Sequence, residues 1–149
     1  MPKKEKLRIK LVAKPDDIKD DIKNTLDEMD RELFADSPLA KKEESWWWLV
    51  IDQDKNVVAF AGLTVYSANK TGFLSRVGVR KSHRGQGLQK KLIKVREKML
   101  KKLGYSRMIT YVAYDNIHSA NNLINCGYRL YIPRWEWGLK WAFYLEKYL

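Results

Sequence analysis

Between Val77 and Leu88 the chain reads Val77-Gly78-Val79-Arg80-Lys81-Ser82-His83-Arg84-Gly85-Gln86-Gly87-Leu88: a short β-branched strand, a loop punctuated by glycines, then the start of a basic amphipathic helix. The first amides of a helix lack internal partners, and the helix dipole makes that end partly positive. Glycines allow positive φ and let backbone approach a ligand closely. Such a loop is an anion cradle, suited to a phosphate or pyrophosphate. Its spacing matches neither the Lys-Ser/Thr phosphate loop nor the GxGxxG dinucleotide fingerprint. A purely structural strand-to-helix turn would use the same residues.

The loop resembles the pyrophosphate loop of the GCN5-related N-acetyltransferases, the GNAT family, whose pattern is Arg/Gln-x-x-Gly-x-Gly/Ala. Arg84 fills the first position and Gly87 the fourth, while Gln89 stands where the last Gly or Ala usually sits. A second segment is similar to the family's Asn-x-x-Ala/Ser, short helix, Gly-Phe/Tyr pattern, with Asn116, Ser119, Gly127 and Tyr128 at the matching offsets. The resemblance implies one domain over residues 1–149 with an α/β fold. Its mixed central sheet would have about six to seven strands and about four flanking helices. The strands near 73–79 and 108–113 would splay apart to admit acetyl-CoA.

The same resemblance assigns the cofactor contacts. The backbone of Val77, Gly78 and Val79 is expected to pair with the pantetheine arm like an added strand. The amides of Arg84, Gly85, Gln86, Gly87, Leu88 and Gln89 are expected at the pyrophosphate. Asn116 is expected on the thiol arm, with Ser119 counted among the cofactor-binding residues. Plain alternatives exist: Val77 and Val79 also read as core, Asn116 as a helix cap, and Arg84 as a surface charge.

Acetyl transfer to an amine needs the amine stripped of its proton and usually a donor for the departing thiolate. Where many family members carry a carboxylate early in the strand before the loop, this chain reads Gly72-Phe73-Leu74-Ser75-Arg76. Tyr111 stands where others place Glu, and Leu123 stands where the short helix often carries a donor Tyr. Tyr111 is thus the one positional candidate for catalysis, although a phenol with pKa near 10 is a poor base at neutral pH. Asp115 and His118 read more simply as capping or solvated residues, and Glu43 and Glu44 precede the strand where an acceptor would approach.

The implied activity is direct transfer of an acetyl group from acetyl-CoA to an amine, the acceptor being a small molecule or a protein. Two other readings stand beside it. An acyl-CoA-binding interaction protein without turnover would explain the empty catalytic positions. A partner that is RNA, DNA or a nucleic-acid-bound protein would suit the surplus of 29 Lys and Arg over 18 Asp and Glu, formally +11. Six tryptophans beside this charge could stack bases, though at alternate strand positions they more often fill a core.

Around these residues the chain of 149 is long enough for one domain with a real core. No apolar run reaches membrane-spanning length, and the N-terminus lacks a signal-peptide stretch. The single cysteine, Cys126, reads as a small packed residue and fits a reducing cytoplasm. With two histidines and no Cys/His cluster, no metal site is expected. The protein is expected as a monomer or a homodimer, away from membranes.

Residues 7–12 alternate as a half-buried strand. Pro15-Asp16-Asp17 opens a helix with Ile18, Ile22, Leu26, Met29 and Leu33 at helical spacing, broken at Ser37-Pro38. A hairpin follows over 46–51 and 57–66, turning at Asp52 to Asn56. A second turn near Asn69-Lys70 leads to a strand over 73–79, then a helix over 88–103 ended by Gly104. That helix has Leu88, Leu92, Val95, Met99 and Leu103 on one face and lysines elsewhere. A strand over 108–113, a short helix over 119–125 and strands over 128–132 and around 141–145 complete the reading.

Overall fold

The computed structural model describes residues 5–15, 20–33 and 45–149. Its elements are β1 (Arg8–Ala13), α1 (Asp20–Leu33), β2 (Ser45–Ile51), β3 (Val57–Tyr66), β4 (Thr71–Val79), α2 (Leu88–Lys102), β5 (Arg107–Ala113), α3 (Ile117–Asn125), β6 (Arg129–Leu130) and β7 (Ala142–Tyr148). Short 3-10 turns lie at Ser67–Asn69 and Lys81–His83. The strands follow the order β1-β2-β3-β4-β5-β7-β6. β4 and β5 run parallel, whereas β1–β2, β2–β3, β5–β7 and β6–β7 are antiparallel. This is the expected mixed α/β sheet, with three α-helices among the described residues. The chain forms two compact units, Met1–Thr64 with Ser75–Leu88, and Val65–Leu74 with Gln89–Leu149.

In the first unit, α1 places acids in its first turn and Arg31 in its last, the arrangement its dipole favours. Its stripe of Ile22, Leu26 and Met29 packs on Trp47, Leu49, Phe60 and Ala13. Trp47 is core, its ring 6.2 Å from that of Phe60. Gly62 lies opposite Trp47 in the ladder, where a Cβ would come within 2.7 Å of the indole, so the strand is bare where the largest side chain crosses it. Trp48 points to the other face and is buried there too. The β2–β3 hairpin turns where expected. The Asp52 carboxylate accepts from the amides of Asp54 and Asn56 at 2.9 and 2.8 Å, which holds its pKa below the usual value, Asn56 contributing most. The expected helix start at Pro15 to Ile18, the break at Ser37-Pro38, and Glu43 and Glu44 fall wholly or partly outside the described residues.

In the second unit, β5 pairs with the start of β4 (Thr71↔Arg107 to Phe73↔Ile109) and along its whole length with β7. A parallel pair needs a crossover connection, and α2 provides it. Leu92, Ile93 and Leu100 of α2 are buried. The helix ends as the sequence indicates, with Gly104 and Tyr105 amides closing onto the carbonyls of Lys101 and Leu100 at 2.9 and 3.1 Å. α3 starts two residues earlier than expected. The strand expected over 128–132 is shorter: β6 holds only Arg129–Leu130, and one further bond joins the Tyr131 amide to the Tyr144 carbonyl. Pro133 has no N–H to extend the ladder. Trp141 lies outside β7, with φ of 55°, and the last strand runs on to Tyr148.

Candidate active site

The loop after β4 is anchored at its entrance. The Arg80 amide and Nε donate to the carbonyls of Val58 and Val57 at 2.9 and 2.8 Å, and its guanidinium pairs with Glu32 of α1. His83 Nε2 meets Glu5 at 3.0 Å. Arg84 folds back onto the strand, its Nε donating to the Val79 carbonyl at 3.0 Å. Past Arg84 the anchoring stops. Gly85 and Gly87 adopt φ of 78° and 77°, and a Cβ at either would meet nothing within 4 Å. Among the described residues the amides of Gly85, Gln86, Gly87 and Leu88 donate to no protein acceptor. Open space and unpaired N–H groups just before a helix are what a bound anion needs. Upstream on β4, Gly78 is buried while Val77 and Val79 are half-buried.

Three predicted residues and one new one converge in the second unit. Asn116 is the N-cap of α3: its Oδ1 accepts from the Ser119 amide at 3.3 Å. Its Nδ2 donates to no protein group among the described residues. Gln89, the departure from the family pattern, turns toward α3, where its Oε1 accepts from Asn122 Nδ2 at 2.9 Å and its Nε2 reaches Ser119 Oγ at 3.5 Å. Asn122 carried no sequence signal, because its partner lies 33 residues away.

Tyr111 sits in an aromatic cluster. Its ring stacks on Phe73 at 5.5 Å, meets the edge of Trp137 at 5.3 Å and lies 6.0 Å from Tyr144. A Cβ on Gly138 would overlap the Tyr111 ring, so that glycine closes tightly over it. Trp137 Nε1 donates to the Tyr131 hydroxyl at 2.9 Å, and the Tyr144 hydroxyl donates to the Leu139 carbonyl at 2.6 Å. Leu123, in the position of the usual donor, is buried. Tyr128 is buried as well, and its hydroxyl donates to Glu97 at 2.8 Å. Burial, with Glu97 beside it, drives the Tyr128 pKa far above the usual phenol value, so it stays protonated.

Two further features escaped the sequence reading. Asp30 of α1, 4% exposed, pairs with Arg76 of β4 at 3.2 Å, bringing a carboxylate to a strand that lacks one of its own. Arg96 is fully buried in α2, its Nε donating to the Leu92 carbonyl, and burial lowers its pKa to about 10. Cys126 is half-buried at the end of α3, and His118 is exposed. Among the described residues no cluster of His, Cys, Asp or Glu could hold a metal, and no helix is long and apolar enough to cross a membrane.

A mixed α/β sheet whose parallel crossover helix begins at an open, amide-lined glycine loop is the arrangement that the resemblance to acyl-CoA-dependent N-acyltransferases leads one to expect. The chain belongs to the acetyltransferase (GNAT) family, whose sequence model matches residues 14–128. It uses acetyl-CoA as acyl donor and an amine as acceptor. No curated protein matches the sequence significantly. Similar solved structures include the ribosomal-protein-S18-alanine N-acetyltransferase from Escherichia coli (TM-score 0.74, 15% identity, covering 96% of this chain and 94% of that one). A GNAT-family acetyltransferase from Staphylococcus aureus Mu50 gives a TM-score of 0.75 at 16% identity, covering 96% and 99%. A Bacillus subtilis acetyltransferase solved in complex with CoA gives 0.70 at 18%, covering 97% and 99%. At these identities the likeness is one of fold.

Proposed function

We propose that the amides of residues 84–89 bind the pyrophosphate of acetyl-CoA, and that the backbone of Val77 to Val79 holds its extended pantetheine arm. The observation that carries this reading is the open run Gly85–Leu88, with both glycines at positive φ and its amides unpaired among the described residues. Gln89 fits the same loop despite replacing a small residue, because its side chain is drawn toward Ser119 and Asn122 rather than over the amides. β3, β4 and α2 each run from one compact unit into the other, which supports reading both units as one transferase domain.

Acetyl-CoA supplies the acetyl group as a thioester: the C–N bond to the amine forms as the C–S bond breaks, and the amine proton ends on the thiol. Asn116 offers its Nδ2 as a donor to the thiol arm while its Oδ1 caps α3. Ser119, whose amide donates to that capping oxygen, completes the set beside Gln89. Tyr111 is the proposed proton donor for the departing sulfur. A phenol near pKa 10 is protonated at neutral pH, so it suits the acid role better than the base role. The acceptor is an amine on a small molecule or a protein. The lone, half-buried cysteine suits a reducing compartment, in keeping with a cytoplasmic enzyme.

Titration calorimetry with acetyl-CoA tests the loop. Wild type should bind at micromolar concentration. Arg84→Glu, which sets a carboxylate beside the phosphates, should bind about tenfold more weakly, a loss of about 1.4 kcal/mol. Gly87→Trp should not bind. No heat from wild type at high micromolar ligand, or wild-type affinity in Gly87→Trp, would overturn the reading.

A further inference from the structure

We propose that the exposed flank of α2 is a docking surface for the sugar-phosphate backbone of a nucleic acid, separate from the acetyl-transfer site. Six lysines, Lys90, Lys91, Lys94, Lys98, Lys101 and Lys102, are exposed on this one helix. At 3.6 residues per turn all six fall within an arc of about 120°, and they span about 18 Å along the axis. None makes an ion pair or side-chain hydrogen bond among the described residues. The one carboxylate on the helix, Glu97, is already engaged by Lys147 at 3.0 Å and by the Tyr128 hydroxyl at 2.8 Å. The arc is therefore purely cationic.

Like charges three and four residues apart on a helix repel one another, and the first turn of a helix disfavours cations. Lys101 and Lys102 complement the C-terminal end of the dipole. That argument does not cover Lys90, Lys91, Lys94 or Lys98. A regular, dense line of negative charge would relieve them all, and duplex nucleic acid presents one charge per roughly 1.7 Å of its axis. The alternatives fit less well. A helix lying on an anionic membrane inserts an apolar face, but Leu88, Leu92, Ile93 and Leu100 of α2 are buried within the protein. An acidic peptide is usually gripped by Arg forks or apolar pockets, and the arc holds neither. With ammonium point charges alone, binding should follow the backbone and ignore sequence.

The experiment measures fluorescence anisotropy of labelled duplex RNA and duplex DNA of about 20 base pairs, between about 50 and about 200 mM KCl. The comparison is between wild type and the variant Lys94→Gln/Lys98→Gln/Lys101→Gln/Lys102→Gln. All four positions lie beyond the first turn of α2, away from the proposed cofactor contacts, so acetyl-CoA calorimetry should be unchanged and serves as the folding control. Wild type should bind at least one of the duplexes, whatever its sequence, with a steep salt dependence. The variant should bind at least tenfold more weakly, its log K against log[salt] slope shallower by about 2 to 4. Preference for RNA or for DNA identifies the sugar recognised. The proposal is overturned if wild type ignores both duplexes at low salt or if the variant binds them as wild type does. It is equally overturned if phosphatidylserine vesicles or polyglutamate, and not nucleic acid, distinguish the two proteins.

Discussion

Asn116 divides one amide between two tasks. Its oxygen caps α3, and its nitrogen donates to no protein acceptor among the described residues. The tasks separate by substitution. Asn116→Asp keeps the capping oxygen and removes the donor, so thermal unfolding should show stability within about 0.5 kcal/mol of wild type while acetyl-CoA binding weakens severalfold. Asn116→Ala loses both and should be about 1 kcal/mol less stable. Equal cofactor affinity in all three proteins would make Asn116 a cap only. Tyr111 calls for a different readout. Its ring is wedged among Phe73, Trp137 and Tyr144, and Tyr111→Phe keeps those contacts while deleting the hydroxyl. If the phenol protonates the leaving thiolate, kcat should fall about 10²-fold or more with little change in KM. An unchanged kcat would leave Tyr111 as packing.

The elements around the cofactor loop depend on partners distant in sequence. α1 meets β4 through Asp30–Arg76 and meets Arg80, at the end of β4, through Glu32. Removing one member of a buried pair strands the other charge. Asp30→Ala should lower stability by about 2–3 kcal/mol in urea unfolding, with a larger loss than Glu32→Ala, whose pair is more exposed. The contrast shows what the sequence could reveal. The glycine loop, the α3 cap, the Gly104 stop and the Asp52 turn are local, set by residues within a few positions of one another, and each reads directly from spacing. Asp30–Arg76, separated by 46 residues, and the packing of Tyr111 against Trp137 leave no such trace. β6 holds only Arg129–Leu130 of the strand expected over 128–132, and Pro133 has no N–H to carry the ladder further.

Taken whole, the molecule carries its charge and its exposed aromatics unevenly. Trp47 and Trp48 disappear into the core, whereas Trp135 and Trp141 are 70% and 77% exposed in the segment before β7. Tryptophan count alone cannot tell these apart, since burial is decided by which strand face meets which neighbour. The α2 lysines are a similar case: the formal +11 is visible in composition, but its concentration on one flank depends on the helix beginning at Leu88.

The strand order β5-β7-β6 has a consequence for synthesis. β7 is made after both β5 and β6, yet it lies between them in the sheet. Until residues 142–148 emerge, one margin of β5 and the short β6 face water with unmatched backbone groups. From the completion of β5 until residues 142–148 are made, the nascent chain thus carries a sticky, half-built ladder, while the β1–β2–β3 ladder can already have closed.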